Sequence, residues 1–462
     1  MIARWFYLPS LLFLLLALLS GTWLRLQWGW PQWQILGLEL PWVLFFRTDY
    51  LLHGHSHVAL LGWTFLALAG LVFEAGTRRN RLPVRPLRVL AALAILVTIL
   101  LFIAFVRDGY APLSIALSTI HMLVGYVLAW IFFRHARTDS NKGSRYFLEG
   151  AVFWMVMATA GPWLLAAGRG LSPFWMDAAV QYYLHVFFNG WLLFGLAGLS
   201  WRYLIQPRYH QQVWPFWLMM AGLLPALLPQ LGPGTADMLN LPGLLVTGTG
   251  IAGNALFATG GMAVVAYTVI SLGKSKRSVK PGDILLWFGL AASLPVLLLP
   301  VFMAIPSVYA IWIRSDFLAI GFIHLHLLAV VTSLLLYAIL RRTIPAPLLE
   351  GNGNGNPYSA TGESSADHLP PRRPLTSLFT TDHPSPLPDY RMKRFRLLLR
   401  SGTLLYIAGT LSMVSLLILT GILQLAGLLP PFPVQETLFI TGLVTLLGAS
   451  LTTAAVILRP SP

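Results

Sequence analysis

The 462-residue chain contains no cysteine. That excludes disulfides, thiolate-held iron–sulfur clusters, CxxCH haem attachment and a thiolate-bridged copper centre, so any redox cofactor held here must use histidine. Charge is scarce as well: 10% of the residues are charged against 56% hydrophobic, less than half the charged share of an ordinary soluble domain. The bilayer is the solvent that such a composition fits. The few charges are also lopsided, with 31 basic against 16 acidic residues and a formal net charge of +15. A nucleic-acid partner would need those cations on one face or helix stripe. They sit instead in short clusters between apolar runs, and read as topology signals rather than a nucleic-acid surface.

What the chain has in abundance is long apolar runs, near 5–26, 50–75, 87–107, 111–133, 147–168, 177–200, 212–231, 244–272, 284–305, 316–340, 401–425 and 436–458. About 20 residues at ~1.5 Å each cross a hydrocarbon core of ~30 Å. The pattern predicts an all-α polytopic membrane protein of about twelve transmembrane helices. The first run, after Arg4, has the look of a signal peptide, but its length and the runs behind it make it a span. Assigned to alternate connections, the basic residues separate sharply. Arg25, Arg47, Arg107, Arg169 and Arg314 fall on one side, and the rest of the 31 fall on the other. The positive-inside rule then puts both termini on the cytoplasmic side of a bacterial-type inner membrane. Residues 1–340 hold ten spans and 401–462 the last two. Between them, 341–400, with GNGNGNP and many Ser and Pro, reads as a disordered cytoplasmic linker.

Seven of the eleven histidines lie inside the spans: His53, His55 and His57 in the second, His121 in the fourth, His185 in the sixth, and His324 and His326 in the tenth. All lie in even-numbered spans, at similar depth in the outer half of the membrane. Ionisable groups at such depth face the bundle interior and serve ions, protons or cofactors. A lone His121 fits a hydrogen-bonded packing role. The clustered HGHSH at 53–57 and HLH at 324–326 have no packing rationale. His185, near Gln181 and Asn189, fits either a ligand or a satisfied core histidine. Residues two apart on a helix diverge by about 200°, so His324 and His326 face opposite sides, and His55 looks away from His53 and His57. No carboxylate joins them as a hydrolytic zinc or di-iron site requires, and imidazole-only ligation favours haem or copper.

Three segments carry a resemblance: LLHGHSHVALLGW at 51–63, YYLHVFFNGW at 182–191 and DFLAIGFIHLH at 316–326. Their order in a twelve-span chain resembles subunit I of the haem-copper oxidase superfamily, which includes cytochrome oxidases and nitric oxide reductases. The resemblance implies a subunit I-like bundle with one or two b-type haems. His326 and a helix-two histidine, His55 ahead of His57, would be the axial ligands of a low-spin haem. His324 would be proximal ligand of a high-spin haem, and His185 would stand at the first copper-ligand position as a distal acid or metal ligand. By depth, Arg47 and Arg314 would meet the haem propionates. The sequence also departs from the family. Residues 212–231 contain no histidine where the family has its copper-binding pair, Asn189 stands where many oxidases have a cross-linked Tyr, and a standard copper site is therefore not implied.

Two functions follow as expectations. The first is a membrane haem protein with oxidoreductase character, transferring electrons to, or binding, oxygen or nitric oxide, and supplied by a donor subunit or quinol. The second is a haem-free transporter or sensor whose imidazole layer handles a metal ion or protons. The small-residue stretch TGTGIAGNALFATGG at 247–261 fits a broken transporter helix or close helix packing equally well.

Overall fold

The computed structural model describes residues 4–29, 34–35, 38–39, 47–77, 82–136, 140–167, 170, 172–232, 234–274, 282–343, 389–430 and 433–458. Among these, twelve helices are long and apolar enough to span a membrane. They are α1 (Arg4–Trp28), α2 (Thr48–Gly76), α3 (Val84–Asp108), α4 (Pro112–Arg134), α5 (Lys142–Ala167), α6 (Pro173–Tyr203), α7 (Trp214–Leu231), α8 (Gly243–Gly273), α9 (Asp283–Met303), α10 (Asp316–Thr343), α11 (Arg394–Leu425) and α12 (Val434–Ile457). The protein is an all-α polytopic bundle.

The helices fall on the expected apolar runs, with two extensions into the expected linker. α10 continues to Thr343, and the helix containing α11 starts at Asp389. Phe395 and Leu399, one turn apart, are buried against the bundle, so the apolar face of α11 begins earlier than its hydropathy. The rest of that segment, 344–388 with His368 and His383, lies outside the described residues.

α2 and α6 are the most enclosed helices, each 83% buried over its most apolar window, and they form the centre with α10. Trp63, Trp191 and Trp201 are fully buried there. α8 runs unbroken from Gly243 to Gly273. Its small residues serve packing: a Cβ on Gly260 would lie 2.6 Å from the Pro215 carbonyl of α7, the close backbone approach typical of membrane helix pairs. At the charge-rich end, Arg341 of α10 pairs with Asp283 of α9 at 2.6 Å. Arg342 lies 3.7 Å above the Tyr203 ring of α6 and 3.5 Å from Glu74 of α2. These contacts clamp α2, α6, α9 and α10 together at one end and leave the other end to the histidines.

Candidate functional site

Each of the three central helices widens into a π turn directly after a histidine. Val58–Thr64 follows His57, Val186–Leu193 follows His185, and Leu325–Thr332 follows His324. A π turn re-aims side chains and releases carbonyls from the i→i−4 ladder, which is why such turns gather at functional sites. In α10 the released groups are taken up locally: Thr332 Oγ1 donates to Leu327 O at 2.8 Å and Tyr406 Oη of α11 donates to Leu328 O at 2.7 Å.

A cavity of about 260 Å³ opens between α1, α2, α10, α11 and α12, and His55 and His324 both line it. His55 Nδ1 donates to the Ala17 carbonyl at 2.9 Å, and His324 Nδ1 donates to the Ile320 carbonyl at 2.7 Å. Each bond fixes the tautomer and leaves Nε2 with its lone pair, the preparation that metal-ligating histidines receive from a backbone carbonyl. Gly21 of α1 admits the His55 ring, since a Cβ there would lie 2.8 Å from His55 Cε1. Arg25, also lining the cavity, is 8% exposed. It donates to Gln435 Oε1 at 3.4 Å and stands 5.0 Å over the Trp28 ring. Among the described residues it forms no ion pair, and it brings a buried cation to the cavity wall.

The structure corrects the pairing that the resemblance implied. His324, not His326, shares a cavity with His55, and His326 faces the other side of α10 with His185. The roll of α10 decides this. Leu318 presses into the space over Gly421, and Gly321 packs on Leu417 and Ile418 of α11, turning the His324 face toward α11 and α1. His57, the alternative helix-two ligand, points away: it stacks on Phe105 of α3 at 4.0 Å and its Nδ1 donates to the His53 carbonyl at 2.9 Å. His53 packs edge-on to Tyr110 at 4.7 Å. His121 is buried edge-on to Phe65 at 4.9 Å and lines neither space.

The two arginines expected at the propionates are elsewhere. Arg47 is captured by Asp49 two residues on, at 2.8 Å, with its side chain 67% exposed. Arg314 is exposed, because its neighbour Ser315 is the residue turned inward, donating to Gln424 Oε1 at 2.8 Å. Arg25 is the arginine that lines the cavity with His55 and His324. It was visible as one of the few cations on the sparse side of the sequence.

A second chamber, of about 360 Å³, lies between α6, α7, α8, α9 and α10 and is lined by His185 and His326. His185 Nε2 donates to Leu223 O at 2.8 Å, and its Nδ1 lies 3.1 Å from Gln230 Oε1 and 3.3 Å from Asn189 Nδ2. Both ring nitrogens are committed to protein partners. His326 is 3% exposed and its Nε2 has no hydrogen-bond partner. Among the described residues, no Asp, Glu, Lys or Arg lines this chamber. Tyr309 stands at its mouth, and burial pushes that phenol above its ordinary value, keeping it neutral. Leu184, Phe188 and Ile323 line both spaces and form the wall between them.

A b-type haem requires axial imidazoles with free Nε2 atoms and cations for its two propionates. The residues of the first cavity fit that group: His55 and His324 would be the axial ligands, and Arg25 the propionate partner. Those of the second chamber fit neither a haem nor a copper ion, because no cation lines it and His185 has no nitrogen to spare. Among the described residues, no three His, Asp or Glu side chains gather as metal ligands. No protein-family model matches the chain, and no curated protein matches it.

Proposed function

We propose that the protein is a multi-pass membrane haem protein of the haem-copper oxidase subunit I type, lying in a bacterial inner membrane with both termini cytoplasmic, and that it transfers electrons through one haem b. The single observation that carries this reading is the cavity shared by His55 and His324, in which both Nδ1 atoms are tied to backbone carbonyls. The haem supplies a one-electron couple when bound.

The chain's own residues do the rest. His55 and His324 would hold the iron from two helices, and Gly21 leaves room for the His55 ring beside α1. Arg25 neutralises a carboxylate in a medium where an unpaired one is costly. The walls, mainly Leu side chains with Ile, Ala and Trp among them, exclude water and keep the local dielectric low. With both imidazoles as ligands, the group would supply electron transfer rather than direct binding of oxygen or nitric oxide.

Haem content of purified protein tests the proposal. Alkaline pyridine treatment should release close to one haem b per chain. Protein that folds and purifies without haem, and gains none on reconstitution, would support the transporter or sensor alternative instead.

A further inference from the structure

The second chamber has the position at which the resemblance places a haem and metal centre, and its residues do not build one. Three features describe what they build. Among the described residues, no acidic or basic side chain lines it. It is aromatic, with Phe188, Phe257, Phe322 and Trp312 on its walls. And it carries hydrogen-bonding side chains. His326 lines it, with an Nε2 that is buried and has no partner among the described residues. Asn254 spends its amide N–H groups on Ala226 O at 3.2 Å and Gly250 O at 2.9 Å, which leaves its carbonyl free. Gln181 adds a third polar group to the lining.

We infer that this chamber binds an uncharged, membrane-soluble ring compound bearing carbonyl or hydroxyl oxygens, and that it holds neither a second haem nor copper. The lack of cations excludes a dianionic haem and phosphorylated ligands; the lack of anions excludes organic cations. A volume of about 360 Å³ lies within the ~300–1,000 Å³ range of ligand pockets. The rim is apolar, with Ile313 and Ala319 exposed, so the approach runs from the bilayer. The ring would lie against Phe188, with the His55–His324 cavity on the far side of that residue. This inference rests on the haem reading only for what lies beyond Phe188, not for the ligand itself.

A short-tailed benzoquinone, added to the full-length protein in lipid nanodiscs and followed by calorimetry, tests it. One equivalent should bind per chain. His326→Leu and Gln181→Leu should each weaken binding about tenfold or more, the loss of one hydrogen bond to the ligand. Both variants should keep the optical spectrum of the parent protein. Gln181→Leu keeps the test decisive if His326→Leu fails to fold. No saturable binding, or binding that both variants leave unchanged, would overturn the inference, as would a second haem per chain that His326→Leu removes. If the parent protein has no haem spectrum but binds the quinone, the haem reading alone fails.

Discussion

Trp63 of α2 donates its indole N–H to Thr332 Oγ1 of α10 at 2.8 Å, with both residues buried. The bond joins the two helices whose histidines share one cavity, and it falls within both π turns. It holds His55 and His324 in register, as a supporting hydrogen bond would for a metal site. Trp63→Phe keeps the ring and removes the donor. About 1–2 kcal/mol of stability should be lost, and haem should leave the variant faster than the parent while its spectrum stays the same. Thermal unfolding and haem transfer to apomyoglobin would measure both.

Gly21 tests the fit of His55 more locally. A methyl group at this position would sit 2.8 Å from the imidazole, closer than side-chain carbons approach, so the ring must move. Gly21→Ala should lower haem occupancy or convert part of the haem to the five-coordinate high-spin form, visible by electron paramagnetic resonance. An unchanged low-spin signal at full occupancy would mean that His55 is not held where its ligation requires.

Arg25 and Arg47 separate two views of the propionate partner. Removing a buried cation from a low-dielectric site disfavours the reduced state, which carries one more electron. Arg25→Leu should therefore lower the haem midpoint potential by an amount on the order of tens of millivolts. Arg47→Leu should leave it in place, because that side chain is 67% exposed and paired with Asp49. Redox titration of the two variants reads the difference directly.

His185 looked like a metal ligand in the sequence and is hydrogen-bonded on both nitrogens in the structure. His185→Ala should leave the haem spectrum intact and cost about 1–3 kcal/mol, the price of a buried Leu223 carbonyl left without its donor. Elemental analysis of the parent protein should show no stoichiometric copper. About one copper per chain, lost in His185→Ala, would contradict the assignment.

The spans were legible because twelve apolar runs have no other solvent than lipid, and the clustered histidines because imidazoles in lipid need a reason. The divergence of His324 and His326 to separate cavities followed from helix geometry alone. Which of the two meets α2 did not, since HLH reads the same from either side and the roll of α10 is set by distant small residues, Gly321 and Gly421. Arg47 was misplaced because depth along the chain says nothing of a local partner such as Asp49. The π turns left no signal in the hydropathy, as one extra residue per turn barely changes the average. The start of α11 was masked by Arg394, Arg396 and Arg400, which lower hydropathy without interrupting the buried face of Phe395 and Leu399.

The most direct test of the haem site is the reduced-minus-oxidised optical spectrum of three single variants, His55→Ala, His324→Ala and His326→Ala, each measured beside the parent protein. The parent should show a Soret band and the sharp α-band of a six-coordinate haem. His55→Ala and His324→Ala should each lose that α-band, since a b-type haem without one axial imidazole becomes high-spin or dissociates. His326→Ala should retain it. Loss of the band in His326→Ala with retention in His324→Ala, or a parent protein without a Soret band, would contradict the pairing of His55 with His324.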